Sequence, residues 1–247
     1  MKYLKYIAVI FALSMLGVGY ANAHVARLAL IGYSGFHSIG DNVYLSQSLP
    51  DSAKAEVSSL LESARNRIAS QYGEPIADPV TVVLGSADEQ RSYGLYGSPG
   101  ALLFAPWENY LLLNYETADV NIAAHELVHA EVVHRVGYLK RQFSIPTWFD
   151  EGAAMQVDHR PQYSYKGSIE EDDFNRIVSL DAPKKFWTSD ENQNINNYRS
   201  AKMAVAEIFN SMDNELYSIL EKIKRGESGV IASAVNETNK ALQRTSR

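Results

Sequence analysis

The chain contains no cysteine among its 247 residues. That excludes disulfides and a lipidated amino-terminal cysteine, so an exported form has to rely on packing for its stability. Basic charge is also in short supply: 23 Lys and Arg stand against 29 Asp and Glu, a net charge of −6. A surface of that sign does not suit nucleic acid, whose phosphates call for Lys and Arg. Internal repeats and low-complexity linkers are absent, and beyond residue 23 no stretch is apolar enough to cross a membrane.

What is present begins with an address. Lys2 and Lys5 precede a mostly apolar run from Ile7 to Val18, and Ala21-Asn22-Ala23 has the small-x-small form that signal peptidase cleaves. The pattern predicts a secretory signal over residues 1–23, cleaved before His24, because the apolar run is too short to span a bilayer comfortably. Removing it takes away Lys2 and Lys5 and no acid, which moves the net charge from −6 to −8. The expectation is a periplasmic or secreted protein without a membrane span, whose residues 24–247 are enough to bury a good core.

Apolar periodicity sets out the elements. Residues 25–33 and 42–46 read as short strands. Residues 51–72 read as a helix with Val57, Leu60, Leu61, Ala64 and Ile68 on one face and Gly73 as its stop. The β-branched run from Pro79 to Leu84 predicts a central strand, and Ser86 to Glu89 has the capping-box form of a short helix. The apolar runs 101–105 and 110–114 flank Pro106-Trp107-Glu108-Asn109 as a hairpin. Helical periodicity then covers 170–178, 198–212, 214–224 and 228–243, with 192–197 a polar connection. The order predicts an α+β fold: a sheet-containing lobe over residues 24–136 and a mostly helical lobe over 137–247, with a cleft between them.

The chemistry lies at the junction, where residues 125–129 read His-Glu-Leu-Val-His. On a helix His125 and His129 stand one turn apart, about 40° around the axis, so both imidazoles can reach one metal ion. Glu126 is about 100° from His125, beside the metal and not on it, which suits a general base acting on a metal-bound water. With six His in the chain, this pattern is expected by chance only about 0.01 times. His134 lies about 180° from His125 and faces away. Val132 and Arg135 occupy the positions where a three-histidine site would need Gly and His.

A third ligand has to come from another segment, because one helix does not surround a metal. Glu151, in Trp148-Phe149-Asp150-Glu151-Gly152, follows after enough chain for a turn at Gly137 and a second helix opened by Pro146. Asp150 is a rival by chemistry, although it points about 100° away from Glu151.

His125, Glu126, His129 and the stretch Trp148–Ala154 together resemble the gluzincin zinc peptidases, nearest to small bacterial domains with a Trp-x-x-Glu-Gly-x-Ala segment. The specific likeness covers residues 121–155, and the spacing from His129 to Glu151 exceeds that of the best-known members by a few residues around 137–145. The resemblance implies a zincin-like fold and one Zn²⁺ held by His125, His129 and Glu151. It also implies Glu126 as base, a peptide or protein substrate, and substrate pairing along Gly100 to Phe104. By the same resemblance Tyr198, placed where similar domains carry a Tyr, is the candidate oxyanion donor; Tyr163, Tyr165 and His159 are alternatives. The expected activity is hydrolysis of peptide bonds. The alternative is a catalytically silent zinc-binding module that holds an envelope partner or a peptide, for which a base such as Glu126 has no use.

Overall fold

The computed structural model describes residues 23–212 and 215–245. The predicted leader, apart from Ala23, lies outside the described residues. A five-stranded sheet and eleven α-helices make up the described part, an α+β architecture. The strands are β1 (His37–Gly40), β2 (Val43–Leu45), β3 (Val80–Leu84), β4 (Gly100–Phe104) and β5 (Asn109–Asn114), in the order β1-β2-β3-β5-β4. β2, β3 and β5 run parallel, and β1 and β4 are antiparallel to their neighbours. The Pro79–Leu84 run is thus the central strand, and residues 100–114 form the hairpin.

Alternation along the strands assigns two faces. Val83, Leu111 and Leu113 point towards helices α2 (Ala53–Tyr72) and α4 (Val120–Val136). Val82, Leu84, Tyr110 and Leu112 point the other way, onto Leu28, Ile31 and Tyr93. The opposite face is covered by α1 (Ala23–Ala29), a 3₁₀ turn at Ile31–Tyr33 and α3 (Ala87–Tyr93). α3 opens with the Ser86–Glu89 capping box. Residues 25–33 are therefore helical and not the strand expected. Val25, Leu28 and Ile31 recur every three residues, a helical stripe that fits over the sheet.

The chain after α4 is helical: α5 (Tyr138–Ser144), α6 (Thr147–Ala154), α7 (Glu171–Val178), α8 (Pro183–Phe186), α9 (Glu191–Met212), α10 (Leu216–Lys224) and α11 (Val230–Thr245). α5 occupies the span where the extra residues between the two motifs fall. Residues 192–197, expected as a connection, are instead the opening turns of α9. Their asparagines bond outward: Asn194 Oδ1 accepts the Thr188 N–H at 2.8 Å, and Asn197 Nδ2 donates to the Phe186 carbonyl at 2.7 Å. Polarity there serves a clamp across to a neighbouring segment, which composition alone does not distinguish from a loop.

One apolar core runs from the sheet through α4 into the helical half, joining Leu111 and Val128 to Phe149, Phe174 and Val205. α4 is its axis. Asp119 caps the helix by accepting the Ile122 N–H at 2.9 Å. The helix stops at Gly137, whose φ of 84° is a backbone region that a side chain disfavours. Its one deeply buried acid outside the motif, Glu131, accepts the N–H groups of Ile76 and Ala77 and pairs with Arg135, tying α4 to the chain before β3. No helix among the described residues is long and apolar enough to cross a membrane.

Candidate metal centre

α4 and α6 bring three ligand types to one point. The Nε2 atoms of His125 and His129 are 3.2 Å apart, and Glu151 Oε2 lies 3.4 Å from the first and 3.6 Å from the second. All three residues are buried, exposing 6%, 6% and 4% of their surface. Pro146 caps α6 from just outside it, and Trp148, Phe149, Ala153 and Ala154 sink into the core, which fixes the rotation of the helix. Gly152 then lets α6 approach α9 so closely that a Cβ there would lie 2.4 Å from the Ala201 carbonyl oxygen. The glycine after the glutamate is thus a packing requirement of the site.

The three atoms suit a metal ion. A point equidistant from all of them lies about 2.0 Å from each, close to the ~2.0–2.1 Å at which imidazole and carboxylate bind zinc. Glu151 Oε2 is buried with no hydrogen-bond partner among the described residues, an arrangement costly for a carboxylate unless a cation faces it. Burial works against ionising both Glu151 and His129. The imidazoles of His129 and His125 nevertheless hold the Glu151 carboxyl far below the usual range. The carboxylates of Asp150 and Glu151 raise His129 well above its ordinary value. Carboxylate and imidazole here each stabilise the charged form of the other. A buried His125, His129 and Glu151 group that can bind a metal ion is therefore present.

Behind each imidazole stands a buried aspartate, and behind each aspartate an arginine. Asp150 Oδ1 is 3.1 Å from His129 Nδ1, and Asp150 Oδ2 accepts from Arg141 at 2.6 Å. Asp158 Oδ2 is 3.8 Å from His125 Nδ1, and its carboxylate takes several bonds from Arg160. Asp150 stands close enough to His129 to orient it, as outer carboxylates do for ligand imidazoles, whereas Asp158 is too far from His125 for a hydrogen bond. Asp150, weighed as a rival ligand, instead supports His129. Asp158 and Arg160 escaped the sequence reading because nothing in the local spacing marks them. The chain around them is strapped down by Lys202 Nζ on the Asp158 carbonyl at 2.6 Å and by Arg67 on the Val157 carbonyl at 3.1 Å.

Glu126 is part-exposed beside the three ligand residues. From Ile122 to Val133 every residue of α4 is buried except Glu126, and its carboxylate makes no hydrogen bond or ion pair with another described residue. His134 is exposed, as its helical phase requires. Tyr198 lies in the third turn of α9, not at the helix start, with its ring 6.3 Å from that of His125. Burial, then the negative charge of Glu151, pushes its phenol pKa well up, so the hydroxyl stays protonated. Of the alternatives, Tyr163 packs against the Tyr198 ring at 5.6 Å, and the His159 N–H is tied to Asn121. β4 is an end strand of the sheet and runs beside α4. A Cβ on Gly100 would touch Ile122, and Phe104 lies under the Arg141 guanidinium. Compared with known proteins, the chain matches no family model and no curated sequence.

Proposed function

We propose that this protein is an exported zinc metallopeptidase of the gluzincin type, with His125, His129 and Glu151 as the zinc ligands and Glu126 as the general base. The observation that carries the reading is the placement of Glu126: the one unburied residue in the middle of α4, one position after His125, with a carboxylate that makes no hydrogen bond or ion pair with another described residue. A site that only held a metal would have no need of it. The two-histidine, one-carboxylate donor set leaves a fourth position open, as catalytic zinc sites do.

Zinc bound there supplies a Lewis acid that polarises a carbonyl and lowers the pKa of a bound water towards ~7. Glu126 accepts the proton of the attacking water and passes it to the nitrogen of the leaving amine. Tyr198 donates a hydrogen bond to the oxygen that gains negative charge. Asp150, 3.1 Å from His129 Nδ1, keeps that imidazole turned towards the metal. The outer edge of β4, which pairs with no other strand among the described residues, offers an extended peptide a line of backbone groups with which to pair. The leader pattern of residues 1–23 supports a site in the periplasm or outside the cell, and amino-terminal sequencing of exported protein should start at His24.

The test is Glu126→Gln in the mature chain, assayed on a mixed peptide library with and without chelator. The variant should fold as the parent does and bind zinc stoichiometrically, yet cleave about 10²–10⁴-fold more slowly. Parental turnover would remove Glu126 as base, and loss of zinc would make it a ligand. A parent that binds zinc but cleaves nothing would make the protein a binding module.

A further inference from the structure

Trp187 is tied to Tyr198. Its indole Nε1 donates to the Tyr198 hydroxyl oxygen at 2.9 Å. An indole N–H only donates, so the phenol oxygen is the acceptor and its own hydrogen has to point elsewhere. No described residue accepts that hydrogen. The rings of Tyr163, Phe186 and His125 surround the phenol at 5.6, 5.3 and 6.3 Å, which fixes the ring and leaves the hydroxyl rotation to be set by its one polar partner.

The segment bearing Trp187 is held by the helix that bears Tyr198. Asn197 donates to the carbonyl of Phe186, the residue before Trp187. Asn194 takes the Thr188 N–H and returns a bond to the Thr188 carbonyl at 2.9 Å, fixing the residue after it. Arg176 steadies Asn197 by donating to its Oδ1 at 2.9 Å. Between these clamps the indole packs edge-on against Phe186 at 5.5 Å and leaves 40% of its surface exposed. Anchoring an exposed aromatic residue so thoroughly is more than packing requires.

We propose that Trp187 is a positioning residue: its N–H orients the Tyr198 hydroxyl so that the phenolic hydrogen is free for an anionic oxygen in the cleft, and polarises it into a better donor. Hydrogen bonds in series strengthen one another, and the one received by the phenol oxygen strengthens the one it gives. The inference rests on the role of Tyr198 proposed above.

Two measurements on the zinc-loaded mature chain decide it. With ¹⁵N-labelled indoles, assigned by Trp187→Phe, Tyr198→Phe should shift the Trp187 N–H resonance and speed its exchange with solvent while zinc is retained. An unmoved resonance overturns the inference. On a peptide that the parent cleaves, Trp187→Phe keeps the packed ring and should lower kcat about 3–10-fold at near-parental KM, the worth of one neutral hydrogen bond. The double variant should match Tyr198→Phe alone. An equal loss from Trp187→Phe in both backgrounds also overturns the inference, since Trp187 would then act without Tyr198. If the parent cleaves no peptide, the proposed hydrolysis falls, and the indole measurement, which needs no substrate, still decides this coupling.

Discussion

Replacing Gly152 with Ala tests whether the close approach of α6 to α9 is what places Glu151. In an ordinary helix interior the change would stabilise the protein by about 1 kcal/mol, because alanine restricts the unfolded chain. Here the added methyl would sit 2.4 Å from the Ala201 carbonyl oxygen, 2.6 Å from Val205 Cγ2 and 2.9 Å from the Ala201 carbonyl carbon. Two of these atoms are helix backbone and the third belongs to a stiff β-branched side chain, so none yields easily. Non-bonded carbon atoms need about 3.5 Å, and the helices would have to part by roughly 1 Å. Overpacking of this kind costs about 1–3 kcal/mol. At roughly 2 kcal/mol the thermal midpoint of a chain of this size falls by about 4–8 °C. Glu151 precedes the displaced residue, so zinc affinity should fall as well. Thermal unfolding followed by circular dichroism in chelator measures the first effect, and competition against a chromophoric chelator measures the second. A variant that melts at or above the parent and binds zinc equally well would refute the argument.

Alanine at His125, His129 or Glu151 should abolish stoichiometric zinc, whereas His134→Ala should leave it intact; metal analysis of the dialysed proteins separates the two outcomes, and zinc loss in His134→Ala would contradict the helical phase. Asp150→Asn should weaken zinc about 10–100-fold by loosening the His129 imidazole, as read by chelator competition. Chelation of the parent should lower its thermal midpoint, because zinc binds the folded state; free zinc at 1,000 times its Kd contributes about 4 kcal/mol. An unchanged midpoint on chelation would mean that the triad does not hold the ion tightly.

How much of this was legible in the sequence depends on whether the cause was local. His125, Glu126, His129 and the exclusion of His134 follow from helical phase alone, and the structure places each as that phase requires. The central strand, the hairpin and the capping box were readable because alternation and turn chemistry act within a few residues. Residues 25–33 misled because a short apolar run fits either period, and only the sheet face waiting for Leu28 and Ile31 selects the helix. Residues 192–197 misled for a related reason. A run of asparagines reads as loop until the segment its side chains clamp, Phe186 to Thr188, is brought beside it. Asp158, Arg160 and Arg141 come near the centre, and Trp187 meets Tyr198, through contacts between separate segments or through turns that spacing does not encode. The resemblance to gluzincins pointed to Tyr198, but its bond to Trp187 was not available from any motif.

Charge explains why these separate pieces belong together. Three buried carboxylates crowd two imidazoles, and burying an ion without a partner is costly. Asp150 is matched by Arg141 and Asp158 by Arg160. Glu151 alone has no arginine or lysine against it among the described residues, only the Nε2 edges of two imidazoles. A divalent cation between the three ligand atoms offsets that carboxylate and leaves one positive charge over. On the reading proposed above, that surplus would favour an anionic oxygen among these side chains, and Glu126, beside the three ligand residues, would be the group to take its proton. Had Glu151 an arginine partner, the same triad would hold a metal with less need and activate a water less strongly. The lack of an arginine at Glu151, when both neighbouring aspartates have one, is what links the packing of α6 to the proposed chemistry.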